Sequence, residues 1–343
     1  MSKKILIIRF SALGDVAMTI PVVYSLAEQY PELEIMFLTR KNFEGMFLHP
    51  PSNFRFMGID LKQYDGISGI NRLFKELKQH SFDYVADFHG VLRTHQLRVL
   101  FKLSGVKTAM IDKGRGEKKK LTRRQGKQLK QLPSSFQRYQ NVLKDLGFDF
   151  NLTFKSIFEN QPDDFKQTIS TLGQKDKKWI GIAPFAKHNE KIYPLELQEK
   201  VIEQLSQDDN LQVFIFGGGE SEKKIVDGWK KKYPSIVSLI GLLNMKQELV
   251  LMSELDVMLS MDSGNMHLAS LTGTPVVSVW GATHPYLGFM GYNQSQKDAV
   301  QIDLDCRPCS VFGQVPCYRG DHACMYGIKP EKIVEKIINV IIC

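Results

Sequence analysis

Short apolar runs of strand type alternate with stretches of helical spacing along this chain, and they do so in two sets. "KILIIRF", "LEIMFLT" and "DYVADFHG" belong to the first set, with "SALGDVAMTIPVVYSLAEQY" and "INRLFKELKQHSF" carrying apolar residues at helical spacing between them. "WIGIAPF", "LQVFIFGGG", "IVSLIG", "DVMLSMDSG" and "PVVSVWG" form the second set, separated by the helical patterns "PLELQEKVIEQLSQ", "ESEKKIVDGWKKKY", "MKQELVLMSEL" and "NMHLASLTG". Strands that alternate with helices return to one sheet in parallel, with the helices covering its faces. The predicted fold class is therefore α/β, with a doubly wound, mainly parallel sheet in each half. A chain of 343 residues is also longer than one core usually supports, so two domains are expected. The pattern places them at 1–170 and 178–325, joined by the polar stretch "TLGQKDKK" (171–178) and followed by a terminal helix over 329–343.

In such sheets ligands sit beyond the carboxyl ends of the strands, so the turns there carry the chemistry. "MDSGNMHLA" reads as a strand end, a tight turn and a helix N-terminus. Helix N-termini expose unpaired N–H groups and partial positive charge, which suits phosphate. Ser263 adds a hydroxyl, Gly264 permits close approach of a ligand, and His267 lies in the first turn. Asp262 has the wrong sign for phosphate and fits better as an orienting group or as an acceptor from a sugar hydroxyl. Simple capping explains the same residues equally well. A similar turn, "RFSALGDVAMTIP", ends the first strand of the other half, with Asp15 as a candidate general base. Only Gly14 stands where a dinucleotide site needs G-x-G-x-x-G, which disfavours an NAD-type pocket. "APFAKHNEKIYP" adds Lys187 and Lys191 after a third strand, and "FGGGESE" offers Gly217 and Gly218 for backbone contact with a nucleotide.

Charge is local in this chain. The net charge is +8, and residues 113–131, "KGRGEKKKLTRRQGKQLKQ", hold nine Lys or Arg and one Glu. Such a run points to an anionic partner, whether phosphorylated glycolipid, membrane head groups or nucleic acid; its bland reading is a solvated loop. The opening "MSKKILIIRFSALGD" resembles the start of a secretory signal, but Arg9 and Asp15 interrupt the apolar run, so a first strand and a cytoplasmic protein are expected. No apolar stretch reaches the ~18 residues of a membrane span.

Cys306, Cys309, Cys317 and Cys324 fall close together, and Cys343 ends the sequence. Their spacing is compatible with a structural zinc, and a cytoplasmic location argues against disulfides. The "DLD" string at 303–305 precedes this segment and does not end a donor-site strand, so it is not read as a metal motif.

Taken together, "ILIIRFSALGDVAMTIPVV", "DFHGVLRT", "KIYP", "FGGGESE", "SLIGLLNMKQELVLM" and "DSGNMHLASLTGTPVVSVWGATHP" resemble the family 9 glycosyltransferases, which include the ADP-heptose:lipopolysaccharide heptosyltransferases. The resemblance implies a GT-B fold, two Rossmann-like domains facing across a cleft, with acceptor bound by the first and nucleotide sugar by the second. It implies inversion without a metal. Asp15 matches the family's catalytic base, and Lys191, Asp262, Ser263, Gly264 and His267 match its donor contacts. Lys187, Gly217 and Gly218 join the donor set; Arg9, Ser11, Gly14, Arg93, Lys118, Lys119, Lys120, Arg123 and Arg124 form the expected acceptor set. Lys187 and Tyr193 stand where the familiar heptosyltransferases carry a hydroxyl residue and a Trp, so the sugar and base stay open. The expected function is transfer of a sugar, heptose from ADP-heptose, onto an anionic lipopolysaccharide core or related glycan, with peripheral contact at the inner membrane. The alternatives are a UDP-sugar epimerase of the same fold and a nucleic-acid-binding protein using the basic run. Against the second, no aromatic residues interleave with the cations of that run.

Overall fold

The computed structural model describes residues 2–159 and 175–342. Strands β1 (Lys4–Ile8), β2 (Glu34–Arg40), β3 (Phe54–Ile59), β4 (Tyr84–Asp87) and β5 (Lys107–Met110) form one sheet in the order β3-β2-β1-β4-β5. Strands β6 (Lys178–Ala183), β7 (Leu211–Ile215), β8 (Val237–Ser238), β9 (Val257–Met261), β10 (Val276–Val279) and β11 (Ala299–Val300) form a second, in the order β11-β10-β9-β6-β7-β8. Every pairing in both sheets is parallel. The expected α/β class is what the structure has. Ile5, Leu6, Ile7 and Ile8 of β1 are all fully buried. Helices cover both faces of a parallel sheet, so its central strands are continuous apolar runs without alternation.

Contacts divide the chain into two compact units: Met1–Arg115 with Ser134–Ile157, and Gly116–Pro133 with Phe158–Cys343. This differs from the boundaries read from the sequence in two places. Residues 116–133, expected in the first domain, belong to the second unit. Leu121 and Leu132 are buried with Leu287 in a small apolar cluster, and the Leu132 amide donates to the Tyr286 carbonyl at 3.0 Å. The terminal helix, Pro330–Ile342, is also part of that unit, because Ile333 and Ile337 are fully buried in the same core as β6 and β9. Half of the expected linker, residues 171–174, lies outside the described residues, as does Cys343.

Helix boundaries follow local chemistry. The helical stretch after β1 is two helices, Leu13–Ala17 and Ile20–Gln29, with Pro21 in the first turn of the second. Proline has no N–H to extend the ladder backwards, yet it fits a first turn where that N–H would be unpaired. Helix Ser135–Leu146, which the sequence reading passed over, starts on a reciprocal cap. Gln137 N donates to Ser134 Oγ, and Ser134 N donates to Gln137 Oε1. Among the described residues no helix is long and apolar enough to cross a membrane.

Candidate active site

The strand orders locate one switch point in each sheet. In the first, the chain runs outward from β1 to β2 and β3 on one side, then to β4 and β5 on the other. In the second, the corresponding neighbours are β6 and β9. Crevices at such points, beyond the strands' carboxyl ends, are where open α/β sheets bind ligands. The candidate residues follow β1 and β4 in one unit, and β6 and β9 in the other.

Beyond β1, Arg9 is 7% exposed and its Nη2 lies 2.8 Å from Asp15 Oδ2. The Ala12 amide donates to the same oxygen at 3.2 Å. Both contacts fall on Oδ2, which leaves Oδ1 unpartnered among the described residues on a carboxylate that is about one-third exposed. Arg9 also donates to the Phe88 carbonyl at 2.8 Å, and the buried Tyr139 hydroxyl donates to the Asp15 carbonyl at 3.3 Å. Beyond β4, His89 and Gly90 amides both donate to Asp87 Oδ1, at 2.9 and 2.8 Å. The His89 ring accepts weakly from Phe10 N at Nδ1 and faces Ser11 Oγ with Nε2, each at 3.4 Å. Burial, then the charges of Arg9 and Lys113, push this imidazole down to about 3. It is neutral near pH 7, and an accepting Nδ1 puts its proton on Nε2, toward Ser11.

In the second unit Lys191 Nζ lies 2.9 Å from Asp262 Oδ2, with side chains 15% and 5% exposed. Thr283 Oγ1 donates to the same carboxylate oxygen at 2.8 Å. Asp262 therefore holds the Lys191 ammonium in place. Ser263 is the N-cap of helix Gly264–Leu271 in extended conformation, but its side chain does not close the cap; it lies 3.2 Å from Ser260 Oγ. The capping explanation thus fails for Ser263. His267 is buried in the first turn of that helix. Lys187 is exposed on the same loop as Lys191. The glycines after β7 are partly committed: Gly218 N donates to Glu222 Oε2 at 2.7 Å.

The structure thus gathers Arg9, Ser11, Gly14 and Asp15 at one switch point, and Lys187, Lys191, Asp262, Ser263, Gly264 and His267 at the other. Arg93 belongs to a different feature, a pocket of about 670 Å³ in the first unit lined also by Arg40, Lys41, Lys62 and Asp65; its Nη2 is 2.8 Å from Asp65. The basic run splits. Lys119, Lys120, Arg123 and Arg124 are exposed, whereas Lys118 is buried with its ammonium 4.2 Å from the Phe289 ring centroid. Among the described residues no group of His, Cys, Asp or Glu is placed to hold a metal ion, and the four cysteines are free thiols. The zinc reading finds no support. Burial raises the Cys309 thiol and pushes Cys324 up to about 11, so both are thiols near neutral pH.

Sequence reasoning missed Thr283, His89 and Tyr139 as members of these clusters. Thr283 follows β10, which neighbours β9 in the sheet. Only strand order reveals that its hydroxyl meets Asp262.

Two Rossmann-like units with polar turns at both switch points define a class, the enzymes of GT-B fold. The sequence pattern of glycosyltransferase family 9 (heptosyltransferase) matches residues 70–315, and the chain belongs to that family of transferases. A lipopolysaccharide core heptosyltransferase, OpsX, of Haemophilus influenzae is 27% identical over 302 residues, covering 82% of this chain and 80% of its own. The lipooligosaccharide heptosyltransferase 2 of Campylobacter jejuni is 23% identical, with 96% and 95% covered. Among solved structures, the ADP-heptose lipopolysaccharide heptosyltransferase II of E. coli superposes with TM-score 0.70 at 17% identity, covering 99% of this chain and 98% of the other. A family 9 glycosyltransferase of Veillonella parvula gives TM-score 0.75 at 18% identity with the same coverage. These likenesses bear out the two-domain GT-B fold and favour transfer over the epimerase alternative.

Proposed function

We propose that this chain is an inverting heptosyltransferase that moves heptose from ADP-heptose onto a lipopolysaccharide core or related envelope glycan. The relatives' named activities support the sugar and the acceptor class. The observation that carries the mechanism is the pair of clusters. One unit presents the Asp15 carboxylate with one oxygen pinned by Arg9, and the other presents the Lys191 ammonium pinned by Asp262, two residues before a helix whose N-cap Ser263 makes no side-chain cap. In this reading the first unit takes the acceptor and the second the donor.

Asp15 Oδ1 takes the proton of the acceptor hydroxyl as its oxygen attacks the anomeric carbon from the face opposite the diphosphate. The bond from that carbon to the diphosphate oxygen breaks, and its electron pair leaves with ADP. Lys191, the amides of Gly264 and its neighbours, Ser263 and His267 meet the charge that develops there. Lys187, Gly217 and Gly218 complete the donor contacts. A covalent, retaining route needs a second carboxylate about 5 Å from the first. Asp87 does not serve, since it is fully buried and its Oδ1 is held by two turn amides. A lysine and helix amides supply the positive charge, so the chemistry calls for no divalent metal.

Arg9 orients Asp15 instead of touching acceptor, because it is buried and donates to Asp15 and Phe88. Ser11, Gly14 and the basic pocket at Arg93 take the acceptor, whose anionic groups match Arg40, Lys41 and Lys62. The exposed cations Lys119, Lys120, Arg123 and Arg124 give peripheral contact with the cytoplasmic face of the inner membrane, with no nucleic-acid partner expected. The test is ADP release from ADP-heptose with and without glycolipid, beside a thermal-shift screen of ADP-, GDP- and UDP-sugars. Release that depends on acceptor, with the ADP-sugar stabilising most, is the expected result. Free nucleotide and epimerised sugar formed without acceptor would overturn the proposal.

A further inference from the structure

The cysteine-bearing segment has no assigned purpose, yet one of its turns lies directly on Lys191. Gly313 has φ of +74°, and a β-carbon at that position would fall 2.5 Å from Cγ and 2.7 Å from Cδ of Lys191. Carbon atoms pack at about 3.5–4.0 Å, so any side chain here must push the lysine stem aside. The turn that presents Gly313 is built to stay in place. Gly313 N donates to Ser310 Oγ at 2.9 Å, Ser310 Oγ donates to Gln314 Oε1 at 2.9 Å, and Phe312 N donates to the same oxygen at 3.1 Å. Cys309 N and Ser310 N both donate to the Ala282 carbonyl, at 3.0 and 3.1 Å. The buried Arg307 ties the segment to the carbonyls of Trp280 and Thr283, at 3.0 and 3.1 Å. Residues 280–283 thus anchor both ends of Lys191. Thr283 holds Asp262, which grips the ammonium, and Ala282 holds the turn that bears on the stem.

We propose that the Ser310–Gln314 turn is the seat of Lys191, and that Gly313 is a positioning residue whose missing side chain sets the affinity of the donor site for a nucleoside diphosphate. The inference rests on the reading of Lys191 as a diphosphate contact. It assigns the segment a task in donor binding that needs neither a metal nor a disulfide.

Gly320 provides the control. It lies in the same segment with φ of +76°, and a β-carbon there would meet nothing within 4 Å. Alanine at either position carries the same left-handed strain, but only Gly313→Ala displaces Lys191. The probe is ADP, titrated calorimetrically against the full-length protein. Gly313→Ala should weaken ADP binding roughly tenfold, the loss of about one charge-assisted hydrogen bond, and should raise the donor KM more than it lowers kcat. Gly320→Ala should stay within about twofold of the parent in the same titration. In a Lys191→Ala background, Gly313→Ala should have no further effect on ADP affinity. Gly313→Asn carries the same β-carbon with better tolerance of the left-handed region. It replaces the alanine variant if that one does not fold, with the same expectation. Equal ADP affinities for Gly313→Ala and Gly320→Ala overturn the inference while leaving the donor-site reading intact, as does an undiminished effect without Lys191. Normal ADP binding by Lys191→Ala alone overturns both.

Discussion

Asp15 is the residue on which the proposed mechanism turns, and the structure sharpens what its replacement should do. Among the described residues the carboxylate has two polar contacts, the Arg9 guanidinium and the Ala12 amide, both on Oδ2. Asn preserves the shape and an acceptor for the amide, but it cannot take a proton and it leaves Arg9 without its counter-charge. Asp15→Asn should therefore lower kcat by at least about a hundredfold, in the range typical of lost base catalysis. ADP affinity, which the proposal assigns to the other unit, should not change, and the protein should stay folded at assay temperature despite a lower Tm. Near-normal kcat in this variant removes Asp15 from the chemistry. His89 supports a second forecast at this scale. Its ring is pushed down to about 3 when folded, and His284, buried with Nδ1 accepting from Tyr286 N, is pushed down to about 4. Unfolded histidine titrates near 6.5. Between these values the unfolded chain binds more protons, so stability is full above about pH 6.5 and falls as pH drops toward 4. The slope is at most about 1.4 kcal/mol per pH unit for each ring. Tm measured from pH 7.5 to 4.5 should fall, and fall less in a His89→Asn, His284→Asn double variant. An identical pH profile for the double variant and the parent would show that other groups govern the acid limb.

At the scale of elements, the segment 116–133 shows best what a sequence reading reaches and where it stops. The clustering of cations was plain, but not that helix Arg115–Leu121 and the residues after it fold onto the second unit. The signal lay in two leucines, Leu121 and Leu132, eleven positions apart in a polar run, whose partner Leu287 is far along the chain. No local period announces such a contact. The aromatic neighbours missing from the run's own sequence also come from a distance: Phe289 under Lys118 and Tyr318 under Arg124. By contrast, the turns after β1 and β9 were legible, because a strand end, a polar turn and a helix start are contiguous in sequence. Glu222 on Gly218 and Thr283 on Asp262 were not, since each depends on folding back or on strand order. The exposed cations should govern acceptor engagement. Replacing Lys119, Lys120, Arg123 and Arg124 with Ser, while keeping the buried Lys118, should raise the KM for intact glycolipid and flatten its salt dependence. Screening over about 10 Å at 0.1 M salt makes the difference largest in dilute buffer. Unchanged acceptor kinetics at low salt would reduce these residues to solvated surface. ADP binding serves as the control and should not move.

For the whole molecule, the arrangement amounts to a division of charge between two units of the same architecture. Each sheet opens at a switch point, and each switch point holds an ion pair with one partner more buried than the other. In the first unit Arg9 is buried and Asp15 is the exposed partner; in the second Asp262 is buried and Lys191 is the more exposed one. The signs of the more exposed partners are opposite, which is what the proposed reaction, removing a proton from one substrate and releasing an anion from the other, demands. A leaving diphosphate is commonly met by a divalent ion. In the proposed mechanism a held ammonium and the positive end of helix Gly264–Leu271 supply that charge instead. Lys191→Ala and His267→Ala should each weaken ADP and ADP-heptose binding by about ten- to a hundredfold, the worth of one charge-assisted contact. Turnover of the parent enzyme should persist in EDTA at a rate that added magnesium or manganese does not raise. The two measurements belong together. If chelation abolishes turnover and metal restores it while Lys191→Ala binds ADP normally, the diphosphate is neutralised by an ion, and the buried Lys191–Asp262 pair serves only to hold the loop after β6 against the end of β9.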